Sequence, residues 1–144
     1  MLNSAITQNA GITIDNFDLL EGGLTQAHSL VNFLFINDNH HEMPKQMFLN
    51  LLALASTRIA KSIVNSQAIL SNGLPDKQPQ ISAQLEQVRL LLDALHISDE
   101  VANTSLNEQS NLLWLVSDCL EEANSELGRI PIIQQNHNAN LKSS

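Results

Sequence analysis

Apolar side chains recur along the chain with the three-to-four-residue spacing of helices that bury one face, and they do so in four separate stretches. In the first, Leu24, Ala27, Val31 and Leu34 share a face, Leu30 and Phe35 lie at its margins, and the pattern fades near Ile36. The second opens at Pro44, whose missing N–H costs nothing in a first helical turn, and continues without a breaker to Asn72. Gly73, a residue able to take the left-handed conformation after a helix, is its expected stop. The third covers about Ile81 to His96, with Ile81, Leu85, Val88, Leu92 and Leu95 at core spacing. The fourth spans about 106 to 127, with Leu112, Val116, Cys119, Leu120, Ala123 and Leu127 toward the core. Ser105-Leu-Asn-Glu108 in front of it has the form of a capping box, and Gly128 behind it is the expected stop.

The stretches between these helices are polar. Residues 1–16 read as an arm in which only Ile12-Thr-Ile14 alternates like a short strand. Asp15, Asp18 and Glu21 suit a helix N-terminus, whereas Gly22-Gly23 would cost roughly 2 kcal/mol inside a helix, so the first helix starts either before the glycines or after them, and its periodicity is clear from Leu24. Asn37 to Glu42 reads as a loop of turn formers, and Ser98 to Asn103 as a second connector. The segment 73–81 contains two prolines and reads as a linker. Beyond Ile130-Pro-Ile-Ile133 almost nothing is left to bury, and 130–144 is expected to be a flexible tail.

The second and fourth helices share a segment. Asn50-Leu-Leu-Ala-Leu-Ala-Ser56 returns as Asn111-Leu-Leu-Trp-Leu-Val-Ser117, 61 residues later. At that offset, 24–56 and 85–117 show 11 identities in 33 ungapped pairs, among them Gln26/Gln87, Ile36/Ile97 and Asp38/Asp99 as well as leucines. The pattern predicts an internal duplication: hairpin one over 24–72 and hairpin two over 82–127, packed on each other as an all-α four-helix bundle in one domain.

Composition narrows the picture. Leu supplies 24 of the 144 residues while Phe, Trp and Tyr supply five, so the core must be aliphatic. Asn and Gln supply 27, which makes the surface polar more than charged. A net charge of −8 opposes binding to phosphate backbones or anionic lipid. The longest apolar run, Met47 to Ala55, is interrupted by Asn50 and falls far short of the ~20 residues of a membrane span. With no signal-like start and one cysteine, a cytoplasmic protein is the expectation.

Candidate chemistry is sparse. His40-His41, near Asp38 and Glu42, is the one local concentration of metal-capable groups, but its spacing matches no metal-binding motif and adjacent side chains are expected to diverge. Cys119, on the core stripe, is expected to be a buried and unreactive thiol. No nucleophile elbow, phosphate loop or dinucleotide pattern occurs, so neither a catalytic residue nor a cofactor is assigned and the protein is read as non-enzymatic. His28 and Arg89 are equivalent in the two copies and could each hold a carboxylate.

Two surfaces stand out. At 100° per residue Trp114 falls about 165° from the core stripe, beside Asp118 and Glu121, where either the chain's own termini or another molecule should cover it. Its repeat equivalent, Ala53, lies on a second apolar stripe of the long helix with Leu49, Ala60 and Val64. This stripe predicts a homodimer through that helix. The function expected is a protein-protein interaction module of adaptor, chaperone, immunity or inhibitor type. The alternatives are a metal- or small-molecule-binding bundle using His40 and His41, and an acidic decoy for a nucleic-acid-binding protein.

Overall fold

The structure, a computed structural model, describes residues 10–102 and 104–133, with the side chains of Asn37 and Ala102 excepted. The expected arm and tail therefore lie outside the described residues for 1–9 and 134–144. The chain is mostly helical. Strand β1 (Ile12–Thr13) leads into α1 (Ile14–Phe35), then a 3-10 turn (Ile36–Asp38) and the short α2 (Asn39–Glu42). The long α3 (Lys45–Gly73), α4 (Gln78–Ala102) and α5 (Leu106–Gly128) follow, and β2 (Ile132–Ile133) closes the order.

Helix α1 packs against α3 and α5, and α4 packs against the same two. The faces turned inward carry the residues that the periodicity selects. Leu24, Ala27, Val31 and Leu34 of α1, together with Ile81, Leu85, Val88, Leu92 and Leu95 of α4, are all buried. On α3 the buried row is Phe48, Leu52, Ala55, Ile59 and Leu70, with Ile63 only half-buried against it. On α5 the row centres on Leu113 in place of Leu112, which shifts to the margin with Cys119. By length and composition α3 could cross a membrane, a test that the core helix of a water-soluble protein also passes.

Several expected boundaries are corrected. Helix α1 begins at Ile14, ten residues before Leu24, because Thr13 caps it by accepting from the Asn16 N–H at 3.2 Å and Leu20 extends its buried face. Both glycines lie within the helix. A Cβ on Gly23 would stand 2.5 Å from Ser62 Oγ, so a larger residue where α1 approaches α3 would force the Ser62 hydroxyl to turn away. Gly73 and Gly128 end their helices without the left-handed turn, since Gly11 is the one glycine with positive φ among the described residues. Gly73 is small for another reason: its carbonyl accepts from the Gly11 N–H at 3.3 Å, and a Cβ there would strike the Gly11 carbonyl oxygen. Helix α4 starts at Gln78 with Pro79 in its first turn and continues to Ala102, because Asp99, four residues past Leu95, keeps to the inward face. The second connector thereby loses 98–102 to the helix.

The Ile12 strand finds its partner at the other end of the chain. Ile12 and Thr13 pair in parallel with Ile132 and Ile133, and the Ile12 N–H donates to the Pro131 carbonyl at 3.0 Å. Two further contacts tie the helices together across their seams. Ser56 Oγ donates to Asp93 Oδ1 at 2.6 Å between α3 and α4, and Ser117 Oγ meets Asn32 Oδ1 at 3.3 Å between α5 and α1.

Candidate functional site

Trp114 lies on the outward flank of α5 and remains 64% exposed. Neither Ile130–Ile133 nor the described part of the N-terminal segment covers it, because both are held at the clasp of β1 and β2. Asp118 and Glu121 follow it at one-turn spacing and are also exposed. Glu121 reaches back toward α1, where its Oε1 lies 3.8 Å from His28 Nε2. The same His28 nitrogen lies 3.0 Å from Ser117 Oγ. His28 thus meets a carboxylate, as its position predicts, and so does Arg89, which pairs with Glu86 at 2.5 Å and Asp93 at 3.5 Å. A surface cavity continues along the acidic face and is lined by Asp118, Glu121, Glu122, Glu126, Gln84 and Arg129. The surface combines an uncovered aromatic with an acidic border.

The second stripe of the long helix divides. Leu49 is buried within the chain and is therefore closed to any partner, whereas Ala53 and Val64 are exposed and Ala60 is half-buried. Ala53 borders a groove between α3 and α4 with Ser56, Thr57, Asp93, His96 and Ile97. Leu90, Ile97 and Val101 extend exposed apolar surface along α4.

The histidine pair is not a solvated loop. His40, on the one-turn helix α2, is 3% exposed, and its ring meets that of His41 edge-on with centroids 4.3 Å apart. Adjacent side chains here converge: the ligand atoms of Asp38, His40 and His41 lie within 4.8 Å of one another. Asp38 achieves this from a left-handed backbone conformation, φ 54°, that a non-glycine residue seldom adopts.

Behind His40 is a buried polar relay that sequence reasoning missed. Gln109 Nε2 donates to Asp99 Oδ1 at 2.9 Å and to the Thr104 carbonyl at 3.3 Å. Both amide hydrogens are thereby used, which turns Gln109 Oε1 toward His40 Nδ1 at 2.9 Å. Nδ1 must then carry the ring hydrogen, leaving the Nε2 lone pair to accept from the Ser110 hydroxyl at 3.0 Å. Burial pushes the His40 pKa below its ordinary value; the Gln109 hydrogen bond opposes this, the charge of His41 adds to it, and that of Asp38 opposes it. The available signal was Gln109 itself, a polar residue one turn before Leu113 on an otherwise apolar face.

Cys119 is partly buried, and burial raises its pKa, with the charges of Glu122 and Asp118 adding to the effect. It stays a thiol at neutral pH. Comparison of the chain with protein-family models, with curated proteins and with solved structures finds no match.

Proposed function

We propose that this protein is a non-enzymatic interaction module that engages another protein through the outer face of α5, with Trp114 as the anchor and Asp118 and Glu121 as its acidic rim. The observation that carries this reading is the exposure of Trp114. Leaving most of an indole in water forgoes several kcal/mol of burial at about 25 cal/mol per Å². An aromatic centre inside a polar border is also the usual anatomy of a binding hot spot. The scaffold in this reading is a four-helix bundle made from two copies of one hairpin. The reciprocal seams support it: Ser56 and Asp93 stand 61 residues from Ser117 and Asn32, so each copy gives the serine to one seam and the acceptor to the other, as in a twofold interface.

The test is affinity capture from the source cell with wild-type and Trp114→Ala protein, followed by measured affinity for whatever is retained. Trp114→Ala should weaken that association by about 2 kcal/mol or more while leaving the melting temperature unchanged. An unchanged affinity with a lowered melting temperature would assign Trp114 to the chain's own packing. Steep weakening of the association with salt would favour the acidic-decoy alternative.

A second reading, self-association across α3, draws support from exposed Val64 and the neighbouring apolar surface of Leu90 and Ile97. Light scattering on wild type and Val64→Glu checks it. A concentration-dependent dimer that the substitution abolishes is expected, and a monomer at high concentration would remove this reading.

A further inference from the structure

We infer that Asp38, His40 and His41 form a binding site for one divalent transition ion of the zinc type, at the end of the helices where α2 meets the start of α5. The inference is independent of the proposed role of Trp114. Two imidazoles and a carboxylate are the borderline nitrogen and oxygen donors that such ions prefer, whereas calcium and magnesium call for oxygen-rich shells. Their ligand atoms, within 4.8 Å of one another, must draw in by about 1 Å to reach metal–ligand bonds of about 2.0–2.2 Å. Asp38 and His41 are exposed and free to make that movement.

His40 is the fixed ligand. Because Gln109 holds its Nδ1–H, the nitrogen left with a lone pair is Nε2, and an ion bound there takes the place of the Ser110 hydroxyl hydrogen. A ligating histidine whose other ring N–H is held by a hydrogen-bonded acceptor is the usual arrangement of a supported metal site. Gln109 plays that part and is itself anchored on Asp99 and the Thr104 carbonyl. Charge favours a dication as well: the Asp99 carboxylate lines the same cavity as His40 and His41, together with Lys45, and the charge of Asp38 acts on His40. The left-handed backbone of Asp38 turns its carboxylate toward His41, whose Nε2 is 3.9 Å from Asp38 Oδ1.

The test is isothermal titration of Zn²⁺ into chelator-treated, tag-free full-length protein, with the melting temperature followed in parallel. Wild type should bind one ion per chain and melt at a higher temperature with added Zn²⁺. Asp38→Asn and His41→Ala, at exposed positions that leave the core intact, should each weaken binding by at least about tenfold. Ser110→Ala should bind at least as tightly as wild type, because it removes the hydroxyl that competes for Nε2. His96→Ala, a substitution of a histidine in the groove between α3 and α4 and outside the cluster, should bind as wild type does. Absence of saturable one-to-one binding by wild type would overturn the inference. So would undiminished binding by the Asp38→Asn/His41→Ala double variant, or a loss in His96→Ala equal to that in His41→Ala.

Discussion

The first half of the molecule, α1 and α3, and the second half, α4 and α5, bury the same register and differ at their edges. At an offset of 61, Leu24 and Leu85, Ala27 and Val88, Val31 and Leu92, Leu34 and Leu95, Leu52 and Leu113, and Ile59 and Leu120 are buried in pairs. The pairing continues before the first identity, at Leu20 and Ile81. The margins diverge. Phe48 in one half stands where Gln109 stands in the other, and exposed Ala53 where Trp114 stands. Asp38 is exposed and left-handed while Asp99 is buried and helical, and buried His40 corresponds to exposed Val101. Interior positions are held by close packing, which punishes a change of volume, whereas edge positions tolerate new side chains and are free to acquire new chemistry. Both candidate sites lie at edge positions where the two halves differ.

This comparison can be broken most forcefully in the core. Leu52→Ala and Leu113→Ala occupy equivalent places with no exposed surface, and each should lower stability by about 2–5 kcal/mol in urea unfolding. Losses of very different size would mean that the halves do not share one core on equal terms. At the divergent pair 48/109, Gln109→Ala should cost about 1–3 kcal/mol, since it strands the buried Asp99 carboxylate and His40 Nδ1–H together. A smaller loss would show that water replaces the relay.

The helix starts sharpen the contrast further. Ser105 accepts from the Glu108 N–H at 3.2 Å, while Pro44, its counterpart before α3, gives no side-chain cap. Ser105→Ala should therefore cost about 1 kcal/mol in chemical denaturation. The smallest effect concerns pH. Because the pKa of His40 is lowered on folding, the unfolded chain takes the proton first as pH falls. The His40 contribution is fully present above the ordinary value of 6.5 and declines as pH drops from there toward the lowered folded pKa. Urea unfolding of wild type should show this decline as pH falls below 6.5. His40→Gln should show a flatter dependence over the same range.

The elements were legible where one face is apolar and the residues are large. Every inward leucine of α4 followed from its spacing, and so did the outward position of Trp114. What spacing could not disclose was the tertiary reason for a glycine or a polar residue. Gly23 reads as a breaker until Ser62 is seen against it, and Gly73 as a left-handed stop until Gly11 is seen bonded to its carbonyl. Asp99 looks like a loop residue because its buried bond to Gln109 spans ten positions that no helical period relates, and α4 therefore runs past the exit that its apolar spacing predicts. Adjacent histidines diverge in an extended chain, but a single helical turn brings His40 and His41 edge to face.

The parallel pairing of Ile12–Thr13 with Ile132–Ile133 has a mechanical consequence. Because the two strands run the same way, the N-terminal end of β1 and the C-terminal end of β2 lie at opposite ends of the clasp. Tension applied through the two ends therefore slides one strand along the other and loads its hydrogen bonds together, instead of peeling them apart one at a time.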